Sequence, residues 1–319
     1  MRGEQTVDSI RLDSRPVLTK LLRVRACVIF NPVAKGDKAR QFRATLDQIA
    51  PECALKKTTV AGDGRRLAAE AVREGFELVI AAGGDGTLNE VLNGLGDVPD
   101  GFHRACLGVL PLGTVNVFAR ELKIPLQLEA AWEVLRRRRE TRVDLPWAEF
   151  SLNGRPERRY FAQLAGAGLD ARAIELVSWP LKKKIGPLAY IVAGLKALTE
   201  RHAVITASLG DQQATGELIL IGNGRLYGGD YEVLADADLR DGLLDLCVFP
   251  RVGWWRLARC AFPLLVRGRL PESMVRRFQA ASFSLTAGSP VAFELEGDLV
   301  GHLPATFAVQ RHGLRVLSP

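Results

Sequence analysis

The chain has 319 residues, 47% of them hydrophobic, and a formal net charge of +7. At about 100 to 200 residues per domain, that length suits two domains better than one. Its five cysteines (Cys27, Cys53, Cys106, Cys247 and Cys260) form neither a CxxC pair nor a zinc spacing with histidine, which excludes a disulfide framework or zinc module and reads as reduced thiols in a cytosol.

Residues 1–24 mix charges of both signs without an apolar run and read as a flexible leader rather than a signal peptide. No later stretch reaches the roughly 18 uncharged apolar residues of a membrane span, so a soluble or peripheral protein is expected. Its positive charge favours an anionic partner, either a phosphorylated ligand or the face of a bilayer. Nucleic acid is disfavoured, because aromatic-interleaved basic stripes and nucleic-acid modules are missing.

From Ala26 onward, strand-length apolar runs alternate with helical patterns. Ala26–Phe30, Leu78–Ala82 and Leu107–Leu110 read as buried strands, each followed by a Gly- or Pro-containing turn and a helix. That rhythm predicts a parallel-sheet α/β domain over residues 25–140. The last helix of this half, Leu128–Arg139, ends in four arginines. After Thr141 the pattern changes to alternating strands such as Arg142–Leu152, Arg159–Leu164, Val204–Leu209 and Glu217–Ile221. Residues 141–319 therefore read as a mainly antiparallel β domain, with helical stretches near Ala171–Thr199 and Trp254–Val266.

Three loops of the first half sit at the carboxyl ends of its strands, where open α/β sheets bind ligands. Gly83-Gly84-Asp85-Gly86-Thr87 lies between a strand and the predicted helix Leu88–Leu95, a setting in which backbone N–H groups and a helix N-terminus meet phosphate. Asp85 would repel phosphate unless a cation intervened, so it implies Mg²⁺ or a role facing the phosphoryl acceptor. Asn31 to Gly36 adds Lys35, and Pro111 to Asn116 adds Gly113 and Thr114. Each of these two loops taken singly also fits an ordinary strand-to-helix turn; the three together fit one nucleotide. No G-x-x-x-x-G-K-[ST] occurs, which excludes an ordinary P-loop. Gly166 to Ala171 matches G-x-G-x-x-A but falls in the antiparallel half, so it reads as a tight turn beside a cavity.

Asn31-Pro32, Gly83–Leu95 (GGDGTLNEVLNGL), Pro111–Leu122 (PLGTVNVFAREL), Leu234–Leu246 (LADADLRDGLLDL) and Phe293–Ala305 (FELEGDLVGHLPA) together resemble the diacylglycerol kinase catalytic-domain superfamily, in its bacterial lipid kinase branch, to which sphingosine and ceramide kinases are similar. The resemblance implies an α/β nucleotide-binding domain and a β-sandwich-like domain with the reaction in the cleft between them. ATP contacts would fall on Asn31, Lys35, Thr58, Gly83, Gly84, Asp85, Gly86, Thr87, Asn89, Gly113 and Thr114. It further implies Mg²⁺, and a regulatory metal on Asp241 with the backbone carbonyls of Asp238 and Leu243, a segment that also makes a good hairpin turn.

The expected catalytic pair is Glu296, as base for a lipid hydroxyl, and Asp85, as the group that orients Mg²⁺ or the acceptor; the opposite division stays open. Three departures from the family pattern stand out. Glu296-Gly297-Asp298 replaces Asp-Gly-Glu, Val117 stands where many relatives carry aspartate, and the first loop has Ala34 and Lys35 in place of the usual Ser-Gly pair.

The acceptor expected is a membrane lipid, with diacylglycerol first, reached from the cytoplasmic side by peripheral contact with an anionic membrane. Trp179–Lys184 and Trp254–Arg259 are candidate contacts. A soluble kinase similar to NAD kinases and a non-catalytic nucleotide- or lipid-binding regulator are the alternatives. A homodimer is compatible with the sequence.

Overall fold

The computed structural model describes residues 24–32, 37–49, 51–177, 188–267 and 270–319. Four strands, β1 (Ala26–Phe30), β2 (Ala54–Lys57), β3 (Leu78–Gly83) and β4 (Cys106–Pro111), pair in parallel in the order β2-β1-β3-β4. Every residue of β1 and β4 is buried, as parallel strands covered on both faces require. Helices α3 (Asp63–Arg73), α4 (Asp85–Gly96) and α7 (Leu128–Arg137) supply the cover, with Trp132 packed into the same core.

Two of these helices differ from their expected bounds for local reasons. α4 starts at Asp85 rather than Leu88, because Gly84 caps it in an extended conformation and Leu88 N–H already bonds Gly84 O at 3.1 Å. α7 stops at Arg137, where Arg138 turns left-handed (φ 53°) and reverses the chain.

The sheet does not end at Thr141. β5 (Glu140–Leu152) runs antiparallel along β18 (Ala305–Leu317), and β18 also pairs in parallel with β4 through Val316 and Leu107. Through β18 the sheet extends to β15 (Ser282–Ala287), β8 (Ile205–Leu209) and β9 (Gln212–Gly216), ten strands in all once β6 (Arg155–Tyr160) is added beside β5. The C-terminal strand thus closes onto the N-terminal sheet, a non-local pairing that local patterning cannot show.

A second, six-stranded antiparallel sheet has the order β14-β13-β10-β7-β16-β17, formed by Arg276–Ala280, Leu244–Phe249, Leu218–Gly222, Leu164–Gly168, Ala292–Leu295 and Asp298–His302. It packs face to face on the β5, β8, β15 and β18 part of the first sheet. Phe293 of β16 meets Phe307 of β18 at 5.8 Å and Phe150 of β5 at 5.0 Å between ring centroids, so aromatic edges join the two layers. The fold is therefore a parallel α/β sheet joined to a largely antiparallel β-sandwich.

The predicted strand Arg159–Leu164 is in fact a junction: β6 ends at Tyr160 and β7 begins at Leu164. The intervening Phe161–Gln163 crosses from one sheet to the other. Among its described residues, the predicted stretch Ala171–Thr199 holds helices α8 (Leu169–Glu175) and Leu188–Ala197. All five cysteines are buried free thiols.

Candidate active site

Loop geometry comes first. Gly113 N–H and Leu112 N–H both donate to Gly83 O, which stitches the loop after β4 to the loop after β3. Asn116, held left-handed at φ 56°, accepts from Gly113 N–H through Oδ1 at 3.0 Å and donates back to Gly113 O at 2.7 Å. Asn116 thereby presents the start of α6 (Val117–Glu121) to Asp85, whose carboxylate is met by the backbone N–H groups of Phe118, Val117 and Asn116. Burial pushes the Asp85 carboxyl up and those N–H groups pull it down. Val117, at 5% exposure, buries its side chain and serves Asp85 through its N–H.

Glu296 arrives from the other domain. With Gly297 it forms the two-residue turn between β16 and β17, and both residues have positive φ (55° and 86°), the requirement of a type I′ hairpin. Glu296 N–H bonds Leu164 O at 3.0 Å, and its Oε1 accepts from Gln163 N–H at 2.6 Å, Ala162 N–H at 2.7 Å and Leu164 N–H at 3.3 Å. Because all three contacts fall on Oε1, Oε2 is the oxygen that can take a proton. Burial pushes the Glu296 carboxyl up to about 7; the N–H group of Gln163 opposes this and the charge of Asp85 adds to it. Asp85 and Glu296, from opposite domains, thus share one electrostatic field. Asp298, two residues on, faces Gly86 of the glycine-rich loop, with Oδ2 3.9 Å from where a Cβ on Gly86 would lie.

A buried clasp holds the domains at this cleft. Glu121 of α6, with its side chain 5% exposed, accepts from Leu226 N–H at 2.9 Å, Gln163 Nε2 at 3.0 Å and Arg225 Nε at 3.3 Å. Gln163 is therefore bonded to Glu121 through its side chain and to Glu296 through its backbone.

Several expected nucleotide positions sit on the same rim. Asn31 is exposed just past β1, Thr58 follows β2 with its N–H on Phe30 O at 2.9 Å, and Thr114 is exposed beside Gly113. Asn89 lies inside α4, where its carbonyl and Oδ1 both accept from Asn93 Nδ2. Lys35 lies outside the described residues.

The Asp241 loop is braced by Asp144, whose fully buried carboxylate accepts from Gly242 N–H and His312 N–H at 2.6 and 2.7 Å. Asp241 Oδ1 accepts from Leu243 N–H at 2.8 Å, and Asp238 Oδ1 from Arg240 N–H at 3.0 Å. Burial, then the charges of Asp144 and Asp238, push Asp241 up, so negative charge accumulates there, a hard-oxygen setting suited to a divalent cation. Among the described residues no three His, Cys, Asp or Glu side chains cluster as metal ligands, so a cation on this loop would draw on backbone carbonyls. A separate cavity of about 450 Å³, lined by Arg172, His202 and His302 among others, borders neither Asp85 nor Glu296.

Comparison with known proteins fits this arrangement. Residues 25–147 match the diacylglycerol kinase catalytic domain, and residues 163–318 the YegS C-terminal NAD kinase beta sandwich-like domain. A protein of Staphylococcus saprophyticus named diacylglycerol kinase is 30% identical over 306 residues, 93% of this chain and 96% of that one. The chain belongs to the diacylglycerol kinase catalytic-domain family. A family member of the same name from Staphylococcus aureus strain MRSA252 is 29% identical over 93% of each chain. The crystal structure of a diacylglycerol kinase from Bacillus anthracis superposes with a TM-score of 0.71 over 94% of this chain and 99% of that one, at 22% identity. Yeast NADH kinase complexed with NADH shares the fold distantly, with a TM-score of 0.52 and 9% identity over 93% of this chain and 84% of that one.

Within this family fold, Glu121, Gln163 and Glu294 reach the site from separate elements. Glu121 and Glu294 stand inside the segments Pro111–Leu122 and Phe293–Ala305, where nothing singled them out, and Gln163 lies outside every motif; a carboxylate inside the apolar run Val291–Leu295 was the signal available for Glu294.

Proposed function

We propose that this chain is an ATP-dependent lipid kinase that transfers the γ-phosphoryl group to a hydroxyl of a membrane lipid, diacylglycerol first. The observation that carries the reading is that the β16–β17 turn faces the glycine-rich loop, with Asp298 opposite Gly86 and the charge of Asp85 acting on Glu296. The acceptor oxygen attacks the γ-phosphorus in line, its proton passes to Glu296 Oε2, and the bond from the γ-phosphorus to the β–γ bridging oxygen breaks, releasing ADP. The N-terminus of α4 and the N–H groups of the Gly84–Thr87 loop, with Thr114 beside them, take the phosphate charge. Asp85 is the carboxylate suited to hold Mg²⁺, which when bound neutralises charge on the triphosphate. A base of this kind contributes about 10²- to 10⁴-fold.

A bilayer substrate calls for a docking face. Trp254 and Trp255, 50% and 86% exposed on the helix Trp254–Arg267, stand beside the exposed Arg251, Arg256 and Arg259. Indole rings with cationic neighbours suit an anionic lipid surface at the cytoplasmic face of the membrane. The other candidate contact, Trp179–Lys184, lies outside the described residues. Among the described residues no helix is long and apolar enough to cross a membrane.

The test incubates purified protein with γ-labelled ATP, Mg²⁺ and diacylglycerol in mixed micelles, with NAD as a parallel acceptor and with Glu296→Gln and Asp85→Asn. Labelled phosphatidic acid from the wild type alone supports the reading. Label on NAD, or ATP bound without transfer to any lipid, would overturn it.

A further inference from the structure

Glu294 is fully buried, two residues before the base assigned above, in an interior strand of the second sheet. Its Oε2 accepts from Gly297 N–H at 2.5 Å, so it grips the turn that carries Glu296. Its Oε1 is buried with no N–H or O–H donor among the described residues. What Oε1 faces is another carboxyl: a Cβ built on Gly166 would lie 2.9 Å from Glu294 Oε1 and 2.3 Å from Asp170 Oδ2. Gly166 therefore has to lack a side chain, because the two carboxyl groups fill that space. Asp170 Oδ1 in turn accepts from Tyr227 Oη at 2.6 Å.

Two ionised carboxylates side by side in a buried space repel, and the arrangement is relieved when they share one proton. That proton also satisfies the otherwise orphaned Oε1. Burial and then Asp170 raise Glu294 well above its ordinary value, in agreement with Glu294 as the partner that keeps the proton. The result is one hydrogen-bonded line, Tyr227 to Asp170 to Glu294 to Gly297, built from three separate elements and ending at the turn of the base. Both turn residues have positive φ, a conformation costly for glutamate. A turn under such strain needs support from its surroundings.

We propose that Glu294 is a positioning residue: with Asp170 and Tyr227 it forms a buried brace that fixes the Glu296-Gly297 turn, and so the Glu296 carboxylate, opposite the acceptor hydroxyl. This rests on Glu296 as the base. Among the described residues the hydrogen bonds of Tyr227, Asp170 and Glu294 run to one another and to Gly297 rather than to a nucleotide loop, so the brace acts on turnover rather than on ATP binding.

The experiment is a cycle of Glu294→Leu, Glu294→Gln, Glu296→Gln and Glu294→Leu with Glu296→Gln, read as kcat and as KM for ATP, with melting temperatures to establish folding. Glu294→Leu removes both hydrogen bonds, and its kcat falls about tenfold or more with KM for ATP unchanged, in line with the cost of a misplaced catalytic group. Glu294→Gln keeps an acceptor for Gly297 N–H and a donor to Asp170, and recovers most of that loss. The double variant is no slower than Glu296→Gln alone, because the brace acts through Glu296.

Wild-type kcat in Glu294→Leu, or a loss that adds in full to that of Glu296→Gln, overturns the inference. Wild-type turnover in Glu296→Gln itself overturns the base assignment, a separate failure read from the single variant. If Glu294→Leu does not fold, Tyr227→Phe removes the outer hydrogen bond of the same line; a lower kcat that vanishes in the Glu296→Gln background supports the brace, and an unchanged kcat counts against it.

Discussion

Gly113 approaches Gly84 so closely that a Cβ on Gly113 would lie 2.4 Å from the Gly84 Cα. The loops after β3 and β4 are packed backbone on backbone, which holds the two candidate nucleotide loops against one another. Gly113→Ala forces them apart, at an overpacking cost of about 1–3 kcal/mol. The expected outcome is weakened ATP binding with a modest drop in melting temperature, measured by calorimetric titration of ATP; unchanged affinity would remove the paired loops from the nucleotide site.

Glu296 carries a second consequence of its burial. Its carboxyl is raised from an ordinary 4.5 to about 7. As a base it acts ionised, so kcat/KM rises with pH through an acid limb near 7. Stability runs the other way: the native state keeps the proton, so the stabilisation is complete below pH 4.5 and is lost as pH rises through 7. Glu296→Gln removes that loss and melts higher than wild type at pH 8, by up to about 3 kcal/mol of stability. The two melt alike near pH 4. Equal melting temperatures at pH 8 would refute the buried, raised carboxyl.

Glu121 tests whether the cleft depends on the clasp. Glu121→Ala leaves Leu226 N–H without its acceptor and Gln163 Nε2 with Leu226 O alone, a cost of about 1–3 kcal/mol. Because Gln163 N–H also holds Glu296, turnover falls along with stability. Glu121→Gln, which keeps an acceptor, loses less. Steady-state kinetics beside thermal denaturation separates the two effects, and a variant that loses stability but keeps wild-type kcat would detach the clasp from catalysis.

Trp254→Ser with Trp255→Ser should release the protein from vesicles containing phosphatidylglycerol in a sedimentation assay, while activity on diacylglycerol dispersed in detergent persists. Raised salt weakens the remaining attraction of Arg251, Arg256 and Arg259. Retained sedimentation of the double variant would place the membrane contact elsewhere.

Local pattern was enough for the parallel α/β half, since buried runs such as Ala26–Phe30 and the glycine loop at Gly83 carry their signal within a few residues. It misjudged the start of α4, because the capping role of Gly84 makes Asp85 helical. The loop at Asp241 read equally well as a turn and as a metal site, and the structure displays the turn hydrogen bonds on Asp241 and Asp238 together with accumulated negative charge.

Glu296-Gly297-Asp298 is visible in the sequence, yet its setting is not. Oε1 is bound by N–H groups of Ala162 and Gln163 in the crossing between β6 and β7 and of Leu164 at the start of β7, a segment that the alternation of residues 159–164 suggested was one strand.

By itself, then, the sequence determined the family, the alternation of strands and helices in the parallel half and the position of the glycine-rich loops, because each depends on residues close together in the chain. Tertiary structure alone decided that β18 closes the N-terminal sheet, that Glu121 grips Gln163 and that Glu294 shares its space with Asp170. Those are contacts between residues far apart in sequence, fixed by sheet register and by the need to satisfy buried polar groups. Neither leaves a periodic trace in the chain.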